Sequence, residues 1–446
     1  MVSILSVVDS LARKCEPTVI NPDHTKTSFG LIASILFGLV VICLPIAAKA
    51  AGKAASPDPC PAVRARVNRL IKPWLAKDGG GDKKTVDAMV GLYLNGKTCY
   101  FGYGRTRIRD GHVPTRRTLF EIGSVTKTFT ATMLALREVR NPAFSAQSPV
   151  NISGIPCARG LCLHLSSGMK GLTYQDLATF TGGLPDDPTN LHGVGMRHYT
   201  QADFIAYLNG LSAPQTGLPT VDRYSNSSYG FLGQLLMARA GYRDFDNPDA
   251  FRASFDKWIG HAITMPLGMN CTAADIASLP RECAAQSEMA KGYRFAHGRR
   301  IVVREPWPWV PWVPWGPAGA LRSNVQDLVR YVAAYVGALE VGGAAVPREL
   351  TRAMAVARTP AGAHWNKRSK ILQAYAWVQL PAGDPSRAVV FKNGATAGFS
   401  SCIAMMPGFG TGAVILSNTA NTRPCSKAIR ILRSPILQNA PRRSRI

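Results

Sequence analysis

The sequence predicts an α+β protein, with an antiparallel sheet flanked by helices and a second, mainly helical region. Three observations support this prediction. Strand-like apolar segments occur near both ends of the 446-residue chain, a helical periodicity begins after Gly123, and residues from about 140 to 290 lack strong strand signals. Strands contributed by both ends of a chain, with a helical insert between them, are typical of an α+β core.

The pattern of residues 60–140 predicts a helix, a hairpin and a second helix. Apolar residues at helical spacing outline an amphipathic helix over residues 63–75. Residues 86–94 and 98–103 read as strands around Asn95-Gly96, a dipeptide that favours a tight hairpin turn. A helical pattern then starts at Gly123, carried by Phe129, Met133 and Leu136.

The pattern of residues 387–432 predicts three strands and a C-terminal helix. Residues 387–392, 399–406 and 413–417 read as strands separated by glycine-rich turns. A helix should follow from about Pro424 to Leu432. The predicted domain therefore covers residues 60–432, with the helical insert inside it.

The N-terminal segment predicts export. A polar leader (1–27) precedes an apolar stretch (28–50) that has no charged side chain from Phe29 to Ala48, and a linker (51–59) follows. Small residues at 48–51 resemble a secretory cleavage site, which favours a cleaved signal peptide and a periplasmic or secreted protein. About 20 apolar residues can also span a bilayer, so an uncleaved anchor is the alternative.

The net charge of +25 favours association with polyanions. The basic residues are scattered, apart from a basic tail (433–446), and no nucleic-acid-binding motif accompanies them. We therefore interpret the charge as an affinity for anionic cell wall or membrane surface, with no nucleic-acid partner.

Eight cysteines follow the leader, an even number that suggests disulfides in an exported chain. Pairing between sequence neighbours gives four hypothetical bonds: Cys60–Cys99, Cys157–Cys162, Cys271–Cys283 and Cys402–Cys425. No histidine or cysteine arrangement typical of a metal site is present, so we expect neither a metal nor another cofactor.

Ser124 and Lys127 are the first candidate catalytic residues. They lie three residues apart at the start of the predicted helix, so their side chains share one face. The lysine amine is then within reach to take a proton from the serine hydroxyl. Such four-residue patterns also arise by chance, and an N-cap serine beside a surface lysine is the alternative reading.

Two further motifs carry polar groups of catalytic type. In Tyr224-Ser225-Asn226, a phenol beside lysines can act as a general base, and an asparagine in a turn can present its amide to a substrate carbonyl. In Lys392-Asn393-Gly394-Ala395, placed at a predicted strand end, the lysine offers a cation to a substrate carboxylate. The small residues after it let a backbone N–H approach an oxyanion.

These three motifs, in this order, resemble the serine β-lactamase and penicillin-binding-protein superfamily, specifically its class C β-lactamase and DD-peptidase branch. Further segments that look like family landmarks are 177–185, 266–269 and 317–323. The resemblance covers roughly residues 60–432 and implies a β-lactamase/transpeptidase-like fold. It also implies a serine hydrolase that works through an acyl-enzyme.

The resemblance implies a role for each motif residue. Ser124 would be the nucleophile, with Lys127 as its base and Tyr224 as the proton shuttle and deacylation base. Ser124 and Ala395 would supply the oxyanion N–H groups, and Lys392 would lower the phenol pKa. The remaining residues would contact substrate: Asn226, Asn393, Gly394, Asn421 and Arg423.

One departure concerns the third motif, in which Asn393 stands where the family often has threonine. The leading hypothesis is a β-lactamase, and the alternatives are a DD-carboxypeptidase or endopeptidase, an esterase, and a non-catalytic penicillin-binding sensor or wall-binding protein. The substrate would be a β-lactam or a D-Ala-D-Ala peptide, and we expect a monomer. The Pro/Trp-rich segment 306–315 predicts a loop anchored to the core, or else an aromatic wall beside the cleft.

Overall fold

The architecture is a large antiparallel sheet covered by helices on both faces. The computed structural model describes residues 58–75, 84–194, 198–212, 216–217, 221, 223–284, 289–296, 299–302, 313–365 and 370–438. The predicted leader and apolar stretch lie outside these residues, as do most of the linker and of the basic tail. No helix in the described ranges is long and apolar enough to cross a membrane.

Eight strands form the main sheet in the order β2-β1-β14-β13-β12-β11-β10-β9, and every neighbouring pair is antiparallel. The strands are β1 (Asp87–Leu94), β2 (Lys97–Gly104), β9 (Ala363–His364), β10 (Leu372–Gln373), β11 (Val378–Leu380), β12 (Val389–Ala395), β13 (Ser400–Met406) and β14 (Thr411–Ser417). Three pairs complete the described strands: β3 (Leu119–Glu121) with β6 (Arg322–Asn324), β4 (Tyr293–Ala296) with β5 (Arg299–Val302), and β7 (Glu340–Val341) with β8 (Ala344–Ala345).

The helices fall into an N-terminal, a central and a C-terminal group. The first two are α1 (Cys60–Ile71) and α2 (Thr126–Arg140). The central group comprises α3 (Tyr174–Thr179), α4 (Leu191–Val194), α5 (Gln201–Asn209), α6 (Asn226–Arg239), α7 (Pro248–Ile259) and α8 (Arg281–Ala284). The rest are α9 (Gly316–Gly319), α10 (Val325–Tyr335), α11 (Arg348–Arg358), α12 (Pro424–Leu432) and α13 (Pro435–Gln438).

Both faces of the sheet are buried under helices. Successive residues of a strand point to opposite faces, so each strand contributes to both layers of packing. On β14, Ile415 joins the cluster formed with α1 and α12, whereas Val414 and Leu416 join the larger cluster on the other face. On that other face α10 lies close to the sheet: a Cβ on Gly412 would lie 2.0 Å from Cγ1 of Val332. The sheet is therefore the middle layer of a three-layer arrangement.

Several predicted elements are confirmed. Asn95 and Gly96 form the hairpin turn, both with positive φ, and the last long helix spans Pro424–Leu432 as predicted. All four hypothetical disulfides are present. Cys60–Cys99 ties α1 to β2, and Cys402–Cys425 ties β13 to α12, so both bonds attach an outer helix to the sheet.

Two local predictions are wrong. Lys392 is not at a strand end, because β12 continues through Ala395 and pairs with β13 over this whole stretch. Asn226 is not in a turn but is the first residue of α6, which Ser225 caps by accepting a hydrogen bond from the Ser228 N–H at 2.9 Å. In the first case the hairpin with β13, which begins at Ser400, extends the strand, and in the second the Ser225 cap starts the helix at Asn226.

Part of the Pro/Trp-rich segment packs into the core. Residues 303–312 lie outside the described part of the chain, but Trp315 is buried. Its ring lies edge-on to that of Tyr199, with centroids 5.3 Å apart. At this position the tryptophan anchors the loop to the core.

Candidate active site

Ser124 lies in a short 3₁₀ turn, Gly123–Val125, that leads directly into α2. Gly123 has φ +49°, a conformation that glycine adopts without steric cost. A Cβ at this position would lie 2.5 Å from the backbone oxygen of Ala395. Glycine is therefore required for the end of β12 to pass beside Ser124.

Lys127 is fully buried in the first turn of α2. Its Nζ donates hydrogen bonds to Asn226 Oδ1 at 2.6 Å and to the Ala318 carbonyl at 2.9 Å, and it lies 3.1 Å from Ser124 Oγ. Burial, and secondly the charge of Lys392, hold the pKa of Lys127 well below its usual range. A neutral amine that donates two N–H groups to carbonyl oxygens has its lone pair left for the serine hydroxyl.

Tyr224 lies in the extended segment before α6, and its hydroxyl donates to Ser124 Oγ at 2.6 Å. Its ring lies between two lysines, with Nζ of Lys127 and Nζ of Lys392 each 4.8 Å from the ring centroid. The expectation that these cations lower the phenol pKa is wrong. Burial raises the pKa of Tyr224, and Asp186 raises it further. The phenol of this structure is therefore a proton donor.

Lys392 is 3% exposed, in the middle of β12. Burial lowers its pKa to about 7, and Asp186 partly opposes that effect. Beyond it, Gly394 is buried and the side chains of Asn393 and Ala395 are exposed. A Cβ on Gly394 would lie 2.0 Å from the backbone oxygen of Ile122. The third motif thus lies directly against the segment that carries Ser124.

Asn226 connects the lysine to a pair of carboxylates that the motifs did not indicate. Its backbone N–H donates to the Asp186 carbonyl at 2.9 Å and to Asp186 Oδ1 at 3.1 Å. Its Nδ2 lies 3.5 Å from Asp187 Oδ1. These contacts orient the amide so that its oxygen accepts from Lys127. The signal in the sequence was the Asp-Asp that directly follows the landmark 177–185.

A cavity of about 820 Å³ adjoins the third motif. Asn393, Gly394 and Ala395 line it together with Asn421 and Arg423, so the structure brings these five predicted residues to one place. Asn421 and Arg423 both have positive φ, in the tight connection between β14 and α12. Arg294 of β4 also lines the cavity, and neither a motif nor a resemblance pointed to it.

The fold and this arrangement of serine, lysine and tyrosine are those of a serine hydrolase. The β-lactamase family model matches residues 67–434, which is most of the chain. The chain therefore belongs to the β-lactamase family, within the serine β-lactamase and transpeptidase superfamily.

Individual relatives are distant. A β-lactamase from Pseudomonas fluorescens is 28% identical over 358 residues, covering 74% of this chain and 87% of that protein. The solved structure of a β-lactamase/D-alanine carboxypeptidase from Pseudomonas syringae has a TM-score of 0.64 at 21% identity, covering 85% of this chain and 99% of that one. A D-alanine carboxypeptidase from Burkholderia cenocepacia has a TM-score of 0.61 at 24% identity, covering 83% and 99%. The structural likenesses establish the fold.

Proposed function

We propose that this protein is an envelope serine hydrolase that opens the amide bond of β-lactams through an acyl-enzyme on Ser124, as class C β-lactamases do. One observation carries the proposal. The hydroxyl of Ser124 is in hydrogen-bond range of two proton-transfer groups at once, Lys127 Nζ at 3.1 Å and the Tyr224 phenol at 2.6 Å. An N-cap serine with a surface lysine would not be buried against a tyrosine in this way.

In the proposed acylation, neutral Lys127 takes the proton of Ser124 as Oγ attacks the carbonyl carbon. The backbone N–H groups of Ser124 and Ala395 stabilise the oxyanion. Tyr224, which holds its proton because its pKa is raised, donates it to the departing amine nitrogen and is reprotonated by the ammonium that Lys127 has become. The C–N bond then breaks and the acyl group remains on Ser124.

Substrate contacts follow from the same arrangement. Asn226 orients the substrate amide, held in place by Asp186. Lys392 and Asn393 bind the substrate carboxylate, together with Asn421 and Arg423 at the cavity wall. The substitution of threonine by Asn393 lengthens the side chain at this contact and so changes which carboxylates fit.

A DD-carboxypeptidase is the second candidate, and the state of Tyr224 favours it. Deacylation requires a base for the incoming water, and because the pKa of Tyr224 is raised, little of its phenol is ionised and able to act as that base. Slow hydrolysis of a penicilloyl group distinguishes a penicillin-inhibited peptidase from a lactamase. A still slower release of the penicilloyl group would make the protein a penicillin-binding sensor. A short-chain esterase is a further alternative, because it would form the same kind of acyl-enzyme.

The decisive experiment compares nitrocefin turnover with hydrolysis of an acyl-D-Ala-D-Ala peptide, using Ser124→Ala as the control. We expect sustained nitrocefin hydrolysis that the substitution abolishes. A stoichiometric burst without turnover, together with peptide hydrolysis, would instead identify a DD-carboxypeptidase. Activity that survives Ser124→Ala would reject the acyl-enzyme mechanism.

The setting of the enzyme is also a proposal. We place it in the periplasm or outside the cell as a monomer, held near anionic wall or membrane surface by its net charge of +25. Exposed charges are screened beyond about 8 Å at physiological ionic strength, so high salt should release the protein from an envelope fraction. Sedimentation of the purified protein would test the monomer.

A further inference from the structure

Two arginines line the cavity beside the third motif, and no acidic side chain is among the described residues that line it. Arg294 and Arg423 contribute the guanidinium groups, and Asn393 and Asn421 contribute amides. Neither arginine forms an ion pair within the described part of the chain. Thr396, also in the lining, is 6% exposed, and its hydroxyl has no hydrogen-bond partner among the described residues. The cavity is therefore positive and has unused donors.

The backbones that carry the two arginines are fixed in place. Beside Arg294, the N–H of Tyr293 donates to the carbonyls of Gly398 at 3.1 Å and Asn418 at 2.9 Å, and its carbonyl accepts from the N–H of Ala420 at 2.9 Å. Arg423 directly precedes α12, which the Cys402–Cys425 bond attaches to the sheet. A ligand entering the cavity would meet positions that are already ordered, which reduces the entropic cost of binding.

The cavity also begins next to the reacting centre. Ala395 is part of its lining, and the Ala395 backbone passes beside Gly123, the residue before the nucleophile. The carboxylates of Asp186 and Asp187 lie elsewhere, next to Asn226. An acidic group of a substrate is therefore repelled near Asn226 and attracted along β12 towards the two arginines.

We propose that this cavity selects substrates whose leaving group carries two carboxylates, such as a C-terminal D-glutamyl residue in place of D-alanine. The proposal rests on the acyl transfer proposed above. One carboxylate lies beside Lys392 and Asn393, and the second is bound by Arg294 and Arg423. The bond from Ser124 Oγ to the carbonyl carbon forms, the C–N bond breaks, and the amine nitrogen takes the proton. The dicarboxylic amino acid then leaves through the cavity.

Binding tests this selectivity without turnover. In the full chain carrying Ser124→Ala, calorimetry gives the Kd of an acyl-D-Ala-D-Glu and an acyl-D-Ala-D-Ala peptide. We expect the dianionic peptide to bind about tenfold more tightly, the effect of a charge-assisted hydrogen bond in a partly desolvated site. Adding Arg294→Gln should reduce the ratio of the two Kd values to about twofold or less. Arg294→Lys should keep part of the preference for the dianionic peptide because the positive charge remains.

Arg352→Gln is the matched control, since Arg352 is an exposed arginine of α11 that does not line the cavity. It removes the same charge and should leave the ratio of the two Kd values unchanged. Equal binding of the two peptides, no detectable binding of either, or a ratio that survives Arg294→Gln would overturn the proposal. Nitrocefin turnover and mass spectrometry with labelled penicillin, both on the wild-type protein with Ser124→Ala as the control, test Ser124 separately. Absence of both turnover and adduct contradicts the proposed function, whereas turnover or an adduct that depends on Ser124, together with equal peptide binding, contradicts only the selectivity.

Discussion

Replacing Tyr224 by phenylalanine should abolish most activity and leave the protein folded. The substitution removes one hydroxyl, which donates to Ser124 Oγ at 2.6 Å, and keeps the ring that packs on Phe180 with centroids 4.9 Å apart. Loss of one such hydrogen bond costs about 1 kcal/mol of unfolding free energy. Loss of a positioned proton donor lowers the rate by about 10²–10⁴-fold, or ~3–5 kcal/mol of activation free energy. The catalytic effect should therefore be several times larger than the structural one.

Tyr229→Phe provides the matched control. Tyr229 also packs on Phe180 and is fully buried, but its hydroxyl donates to the Ala178 carbonyl at 2.8 Å. Removing it leaves a carbonyl without its partner, so we expect a loss of about 1–3 kcal/mol in stability. Its kcat/KM should stay within a few-fold of the wild type.

Stopped-flow kinetics with nitrocefin, combined with thermal unfolding, separate the two effects. Acylation appears as the burst and deacylation as the steady state, so the assay also shows which step Tyr224 serves. The reasoning is refuted if Tyr224→Phe acylates within threefold of the wild-type rate. It is equally refuted if Tyr229→Phe loses as much activity as Tyr224→Phe.

Three further experiments test the electrostatics, the packing and the covalent links around the site. Because burial lowers the folded pKa of Lys392 from 10.5 to about 7, the unfolded chain binds more protons between these values, and stability should rise with pH across that window. Urea unfolding at pH 7 and 10 should show a smaller rise in Lys392→Met. Gly394→Ala places a Cβ 2.0 Å from a neighbouring carbonyl oxygen and should lower both Tm and kcat/KM, whereas Gly383→Ala, with nothing within 4 Å, should change neither. Replacing Cys402 and Cys425 together by alanine opens a link between residues 23 apart and should cost about 3 kcal/mol of stability in denaturant unfolding, while an unchanged midpoint would contradict it.

The sequence was sufficient for features that depend on local signals. Asn95-Gly96 specified its own turn because both residues tolerate positive φ, and the helix ending at Leu432 was visible from its apolar spacing. Ser124 and Lys127 were placed on one face because four residues of helix determine that geometry. The four disulfides were predicted by pairing each cysteine with its neighbour in the sequence, at separations from 5 to 39 residues.

Features that depend on tertiary packing could not be predicted from the sequence. The strand carrying Lys392 runs on to Ala395 because it pairs with β13 as far as Ala395 and Ser400, and the apolar pattern of the strand does not record the length of that pairing. The direction of the Tyr224 pKa depends on how deeply the ring is buried, which the motif does not record. Arg294 reaches the cavity only because β4 is hydrogen-bonded to the segment after β14, more than a hundred residues further along the chain.

The two disulfides on the outer helices have a mechanical consequence. The bond from Cys60 to Cys99 joins the first described helix to β2, and the bond from Cys402 to Cys425 joins the last long helix to β13. A pull on the chain before Cys60 passes through a covalent bond into β2 at the first residue of α1, so it cannot peel that helix away. A pull from the C-terminal side can unwind α12 but stops at Cys425, the second residue of that helix, where the bond to Cys402 transfers it to β13. In both directions the tension reaches the sheet and not the turn that holds Ser124, so a chain tethered to a surface by one end could carry a load without disturbing that turn.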